Sequence, residues 1–157
     1  MRTLLIVHVS SLDSYSWHQG DHSGLALAAS IAAACEQADH VVVTDQCWPL
    51  RPNSHARRLL YGHLDWHPSV TRFSHDEDTD GWEEPMSQLA AVLRELGVSE
   101  LVVGGVWATH DGQSGCVNAT ADALSQQGFT CHIDPTLCGY EQEEEEENEP
   151  SGWLADW

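Results

Sequence analysis

The chain contains no lysine. Six Arg stand against 25 acids in its 157 residues, a formal net charge of −19. Nucleic acids and anionic membrane surfaces are bound through clustered Lys and Arg, so this balance argues against both as partners. Long apolar runs are missing too. No stretch approaches the ~18 residues of a membrane span. The run Leu4 to Val9 is too short for a secretory signal and lacks a small-residue cleavage site after it. Cysteine is sparse and odd in number, five in all, without regular spacing. That excludes a disulfide scaffold and points to a reducing compartment, the cytoplasm.

What is present suits one globular domain. The chain is 41% hydrophobic, and a length of ~150 residues can bury a core of its own. The charge is uneven. The last 18 residues carry −8 and include seven Glu between 141 and 149, while the first 139 carry −11 from six Arg and 17 acids. We therefore divide the chain into a domain, 1–139, and an acidic tail, 140–157, read as a solvated segment. The Lys-free remainder resembles the surface composition of halophilic proteins.

Thr3 to Val9 (TLLIVHV) is a nearly continuous apolar run, as in a strand buried on both faces. Ser10 to Asp21 reads as a polar loop. Gly24 to Cys35 is Ala- and Leu-rich and predicts a helix, with Asp21 or Ser23 as N-cap. His40 to Thr44 is a β-branched strand. Ser54 to Leu64 reads as a helix between prolines, Ser69 to Phe73 as a short strand, and 76–84 as an acidic loop. Pro85 to Leu96 is a helix with Pro at its start and Gly97 after its end. Glu100 to Val106 is a strand, Gly115 to Gln127 a helix, and Phe129 to Ile133 a last strand broken by Asp134-Pro135. Strands alternating with helices imply a three-layer α/β fold, with a mainly parallel sheet of about five strands and helices on both faces. Ligands of such sheets bind outside the carboxyl ends of the strands. His8, Asp45 and the loop 107–116 are the places to look.

Residues 92–134 run helix, Gly, apolar strand, Gly-Val, loop, Cys-Val, helix, Gly, strand, Asp. With Gly105-Val106, Cys116-Val117, Thr120, Asp122-Ala123 and Gly128, this ordered set resembles the isochorismatase-like cysteine hydrolases, the superfamily that includes nicotinamidases. The likeness covers about a quarter of the chain and extends more loosely back to residue 3. It implies a nucleophilic Cys116 at a helix N-terminus, where backbone N–H groups and the helix dipole favour thiolate and can hold an oxyanion. The competing reading is a helix Cys that only packs.

The departures from the family are specific. The family's catalytic Asp at the end of the first strand is replaced by His8, which can take a thiol proton as a neutral imidazole. The family's Lys has no counterpart in a Lys-free chain. Arg72 is the nearest candidate, able to supply charge but not to shuttle a proton. The loop before Cys116 is longer than usual. It offers Trp107, His110, Asp111 and Gly115 as substrate-binding candidates, with Trp107 alternatively a loop anchor. Nicotinamidase-like members also carry an Asp-x-His metal motif. Asp65-Trp66-His67-Pro68 matches it, though later in the chain than the family places it, and His55 and His63 could complete a site for Zn²⁺ or a similar divalent ion. The alternative is a set of surface or capping histidines.

Three functions stay open on these residues. One is a divergent cysteine hydrolase of an amide or related small planar substrate, needing no cofactor for its thiol chemistry. Another is an altered or inactive member that binds a small ligand or a protein partner. The third is a metal-binding protein using residues 55–67. The family tends to oligomerise, so a homo-oligomer is a further expectation.

Overall fold

The computed structural model describes residues 2–46, 55–75, 83–108 and 115–140. They hold five strands, each followed by a helical segment except the last, and five helices in all, two of them between the first and second strands. These are β1 (Thr3–Val7), α1 (Leu12–Gln19), α2 (Asp21–Gln37), β2 (His40–Gln46), α3 (His55–Trp66), β3 (Val70–His75), α4 (Glu83–Glu95), β4 (Glu100–Ala108), α5 (Cys116–Gln126) and β5 (Thr130–Tyr140). A short 3-10 turn, Val9–Ser11, joins β1 to α1. The strands form one sheet in the order β3-β2-β1-β4-β5, and every pairing is parallel. The chain builds outward from β1 to β3, then returns to the centre and builds outward again through β4 and β5. The order therefore reverses between β1 and β4, the place where parallel sheets open a crevice at their carboxyl ends.

Two cores follow from strand alternation. Leu4, Ile6, Val41 and Val43 face α2 and α3, where they meet Leu27, Ile31, Leu60 and Leu64. Leu5, Val7, Val42, Leu101 and Val103 face α4 and α5, where they meet Leu89, Leu93, Val117 and Leu124. A strand with helices on both sides must be apolar at every position, and all five residues of β1 are buried. No helix among the described residues is long and apolar enough to cross a membrane.

The structure departs from the sequence reading in two elements. Ser10 to Asp21 is not a loop: Leu12–Gln19 is helical, and α2 begins at Asp21 directly after Gly20. The sequence of α1 (LDSYSWHQ) has poor helix propensity, and no side chain caps its start. Tertiary contacts hold it. Leu12 is buried in the α2/α3-side core. Asp13 accepts a hydrogen bond from Nη1 of Arg57, on α3, at 2.5 Å. The Arg57 side chain is 2% exposed. Burial works against its charge, and the Asp13 carboxylate more than offsets this, so its pKa lies above the usual value.

The second departure is at Asp134-Pro135, which does not end β5. Ile133 pairs with Val103 and Cys138 with Gly105, so Asp134 to Leu137 bulge opposite Gly104. Pro135 sits in the bulge, where no ladder N–H is required. Asp134 Oδ1 closes the bulge by accepting the Thr136 N–H at 3.0 Å and its hydroxyl at 2.7 Å. The strand then resumes with buried Leu137 and Cys138. Tyr140, placed in the tail by composition, pairs with Ala108 and belongs to β5. The remainder of the tail, 141–157, lies outside the described residues, as do 76–82 of the acidic loop.

Removing one partner of a buried ion pair leaves an uncompensated charge. Asp13→Ala is expected to cost about 3 kcal/mol of stability, at the low end for such pairs because Asp13 is partly exposed. Urea unfolding checks it. A loss below about 0.5 kcal/mol, the range of an exposed pair, would show that Arg57 has found another counter-charge.

Candidate active site

His8 directly follows β1, at the carboxyl edge of the sheet beside its reversal point. It is 2% exposed. Its backbone is left-handed, with φ 55, a conformation in which His is over-represented among residues with a side chain. Hydrogen bonds on both sides hold it there. The His8 N–H donates to the carbonyl of Thr44 on β2 at 3.0 Å, and also to the Thr44 hydroxyl at 3.2 Å. The His8 carbonyl accepts the Ser11 N–H at 2.9 Å. The chain thus turns sharply after β1 and enters α1 with His8 fixed at the bend.

On the other side of β1, Gly105 of β4 lies against Val7. A Cβ on Gly105 would stand 2.3 Å from the Val7 carbonyl oxygen and 2.5 Å from its nitrogen, and Gly105 has φ 127. Only glycine tolerates both the contact and the dihedral. This close approach brings β4 against β1 one residue before His8. β4 itself runs past Val106 to Ala108. The Val106–Trp107 peptide is cis.

Cys116 is the first residue of α5, which packs on β4 and β5. Gly115 is its N-cap, with φ 97 and no side-chain cap. The first intrahelical bond runs from the Ala119 N–H to the Gly115 carbonyl at 3.0 Å. The N–H groups of residues 116 to 118 therefore lie ahead of the helical ladder, at the positive end of the helix dipole. Cys116 is half-buried and packs against the core on the α4/α5 side. It follows β4 as His8 follows β1, and the two strands are neighbours. Each residue thus follows one of two neighbouring parallel strands at the carboxyl end of the sheet.

Other candidates are placed elsewhere. Arg72 lies within β3 on the α3 side, 3.5 Å from Asp65 and with its guanidinium 5.3 Å from the centre of the Tyr61 ring. Phe73, the next residue, points to the opposite face, into the core that Cys116 contacts. The sheet therefore separates Arg72 from Cys116. Alternation along a strand sends adjacent side chains to opposite faces, and position 72 falls on the wrong one. Trp107 packs with the α2/α3-side core. Its ring lies 5.5 Å from Tyr15 and 6.2 Å from His18, both on α1. Trp107 is therefore a residue of β4 rather than of a loop. His110 and Asp111, and the side chain of Asp45, lie outside the described residues.

The metal candidates are dispersed. His55 opens α3 and Asp65 lies near its end, some 15 Å along the axis at 1.5 Å per residue. His63 is 3.4 Å from Glu36, and Asp65 pairs with Arg72. Nδ1 of His67 accepts the Ser69 N–H at 3.0 Å, and its Nε2 donates to the Ala38 carbonyl at 3.1 Å. Both ring nitrogens of His67 are thus occupied by protein. Among the described residues no group of three or more His, Cys, Asp or Glu is arranged to hold a metal ion.

Thr44 and Tyr15 were not singled out by sequence. Thr44 has the appearance of one more β-branched strand residue. Tyr15 sits in a segment whose helicity depends on contacts distant in sequence. Neither carries a local signal. Neither protein-family models, nor curated proteins, nor solved structures yield a match to this chain.

Two measurements check this geometry. Gly105→Ala should destabilise the fold by roughly 3 kcal/mol or more, because the added methyl meets Val7 backbone and the dihedral is strained. A cost near zero would show that β4 can withdraw from β1. The other three cysteines among the described residues should be inert. Burial, then Glu36, pushes the Cys35 thiol up to about 12, and burial, then Asp134, pushes Cys138 up to about 11. Burial also raises Cys131. At pH 7.5, iodoacetamide should modify Cys35 and Cys138 at least ~30-fold more slowly than an unstructured peptide thiol. Peptide mass spectrometry reads this, and equal rates would mean that these cores open readily.

Proposed function

We propose that the chain is a divergent cysteine hydrolase of the isochorismatase-like kind, acting on the amide bond of a small planar substrate. The observation that supports the reading is that His8 and Cys116 each follow one of two neighbouring parallel strands at the carboxyl end of the sheet. One is buried at the bend after β1, and the other opens the helix that follows neighbouring β4.

In this reading the His8 imidazole takes the proton from the Cys116 thiol. The thiolate attacks the substrate carbonyl carbon, and the carbonyl electron pair moves to oxygen. The N–H groups at the start of α5 hold that oxyanion. As the tetrahedral species collapses, the C–N bond breaks and His8 returns its proton to the leaving nitrogen. Water, deprotonated by His8, then attacks the thioester, and the acid and the thiol are released. The burial of His8 keeps bulk water from competing for its proton. Arg72 has no part in this scheme.

The second reading is a member of this kind that has lost turnover and binds a ligand or partner at the same edge. What favours it is the engagement of Arg72 with Asp65 and Tyr61, which takes the nearest candidate for the family's cationic position away from Cys116.

The test is a panel of small aromatic and aliphatic amides. On an amide that is turned over, Cys116→Ala should lower kcat/KM at least ~1,000-fold, and His8→Asn about 100- to 10,000-fold. Arg72→Gln should stay within about threefold, with circular dichroism confirming that each variant folds. Intact-mass detection of an acyl adduct on Cys116 would identify the intermediate. Activity that survives Cys116→Ala would end the hydrolase reading. Binding without turnover or adduct would select the second one.

A further inference from the structure

Thr44 carries a hydrogen-bonding capacity that the fold does not use. It is a β2 residue, bonded to the bend at His8, and is 2% exposed. Its Oγ1 accepts the His8 N–H at 3.2 Å. An oxygen in that role keeps its own proton to donate elsewhere. Among the described residues nothing accepts that proton. Buried hydroxyls of this kind are uncommon, because desolvating a donor is costly and folding regains nothing for it.

Side-chain parity determines which way Thr44 faces. Val42, two residues earlier, lies in the α4/α5-side core, while Val41 and Val43 lie in the other. Thr44 therefore faces the α4/α5 side. Its partner in the β2/β3 ladder is Phe73, which packs against that same core. Cys116 packs against it as well, and so does Tyr140 at the end of β5. The Tyr140 hydroxyl is already hydrogen-bonded to the Cys138 thiol. Tyr140 thus brings a ring to this face, whereas Thr44 brings an unspent donor.

Strand spacing sets the scale of what fits. β2 and β4 both pair with β1, so two spacings, ~10 Å, separate them. α5 packs on β4 and opens at Cys116. A thiol attacks a carbonyl carbon from ~3.3 Å, and a hydroxyl donor sits ~2.8 Å from its acceptor. About 4 Å then remains between the reacting carbon and the acceptor, enough for one six-membered ring. Cys116 is half-buried and Thr44 is buried, so the hydroxyl lies deeper than the thiol.

We propose that Thr44 is a specificity-determining residue whose hydroxyl donates to an acceptor atom across a single ring from the scissile amide. The proposal rests on the hydrolase reading for the position of the amide carbonyl at Cys116. It narrows the substrate class to a six-membered cyclic carboxamide with a nitrogen or oxygen acceptor opposite the amide.

Binding of benzamide, pyridine-2-carboxamide and pyridine-4-carboxamide to the full chain carrying Cys116→Ala tests this, with Kd read by NMR titration. The three probes have nearly one shape. The ring nitrogen stands opposite the amide in the 4-isomer and beside it in the 2-isomer, and benzamide has none. The 4-isomer should bind at least ~10-fold tighter than the other two, because a buried donor left unpaired rejects an analogue. Adding Thr44→Val should bring the 4-isomer within about threefold of benzamide and leave benzamide itself within about threefold of its former Kd. Thr44→Ser keeps the hydroxyl and should keep the preference. A merely structural Thr44 would weaken all three probes together. If Thr44→Val does not fold, the ranking in the Cys116→Ala chain and in Thr44→Ser decides. Equal binding of the three probes, a preference that persists in Thr44→Val, or no binding of the 4-isomer at about 10 mM would overturn the assignment. Turnover of the same probes by the wild type is read separately. A Thr44-dependent preference without turnover upholds the subsite and counts against the hydrolase reading. Turnover without that preference upholds the hydrolase and removes the subsite.

Discussion

Among the described glycines, the tightest approach of one backbone to another is that of Gly105 to Val7. It sits where the sheet changes its direction of growth, and both halves of the fold depend on it. Beside this contact the chain after β1 does not continue straight. It bends at His8, is caught by Thr44 on the other side, and enters α1. The chain after β4 crosses to the opposite face and opens α5 at Cys116. A buried imidazole and a helix-terminal thiol thereby follow neighbouring strands at the carboxyl end of the sheet. Any bulkier residue at 105 would separate the two strands that carry them.

Electrostatics are used sparingly in this chain. With no Lys and six Arg, each guanidinium that braces a helix or strand is conspicuous. Arg57 is buried against Asp13 and ties α3 to α1. Arg72 rests on Tyr61 and faces Asp65. Arg94 donates to the Gln127 carbonyl at 2.9 Å and lies 5.3 Å from the centre of the Phe129 ring, closing α4 over the end of α5. These contacts spend much of the available positive charge on packing. The excess of acids is left for the surface, where like charges can separate into water.

Much of the architecture was legible because each central strand carries a nearly continuous apolar run, Leu4–Val7, Val41–Val43 and Leu101–Val103. Such runs, separated by helical ones, admit few arrangements other than a parallel sheet covered on both faces. The misses share one cause. α1 was read as loop because Asp, Ser and His dominate it, and its helix is held by Arg57 and Trp107, far away in sequence. β5 was cut short because Asp-Pro is a sound local break. It is one here, and the strand resumes only because Gly104 leaves room for Leu137 on the neighbouring strand. Arg72 was read toward the site from its strand alone, without the parity that turns it to the other face.

The amino-acid sequence by itself determined the fold class, because burial on two faces leaves its mark in every residue of a strand. It also determined that Cys116 opens a helix, because Gly115 and the apolar period after it are local features. Tertiary structure alone decided which side chains meet. The strand order set His8 and Cys116 after neighbouring strands at the carboxyl end of the sheet, turned Arg72 to the other face, dispersed the Asp65 and His55 set, and placed His40 beside Ser69 and Thr71. Contacts of this kind depend on the register and facing of segments tens of residues apart, and no local pattern records them.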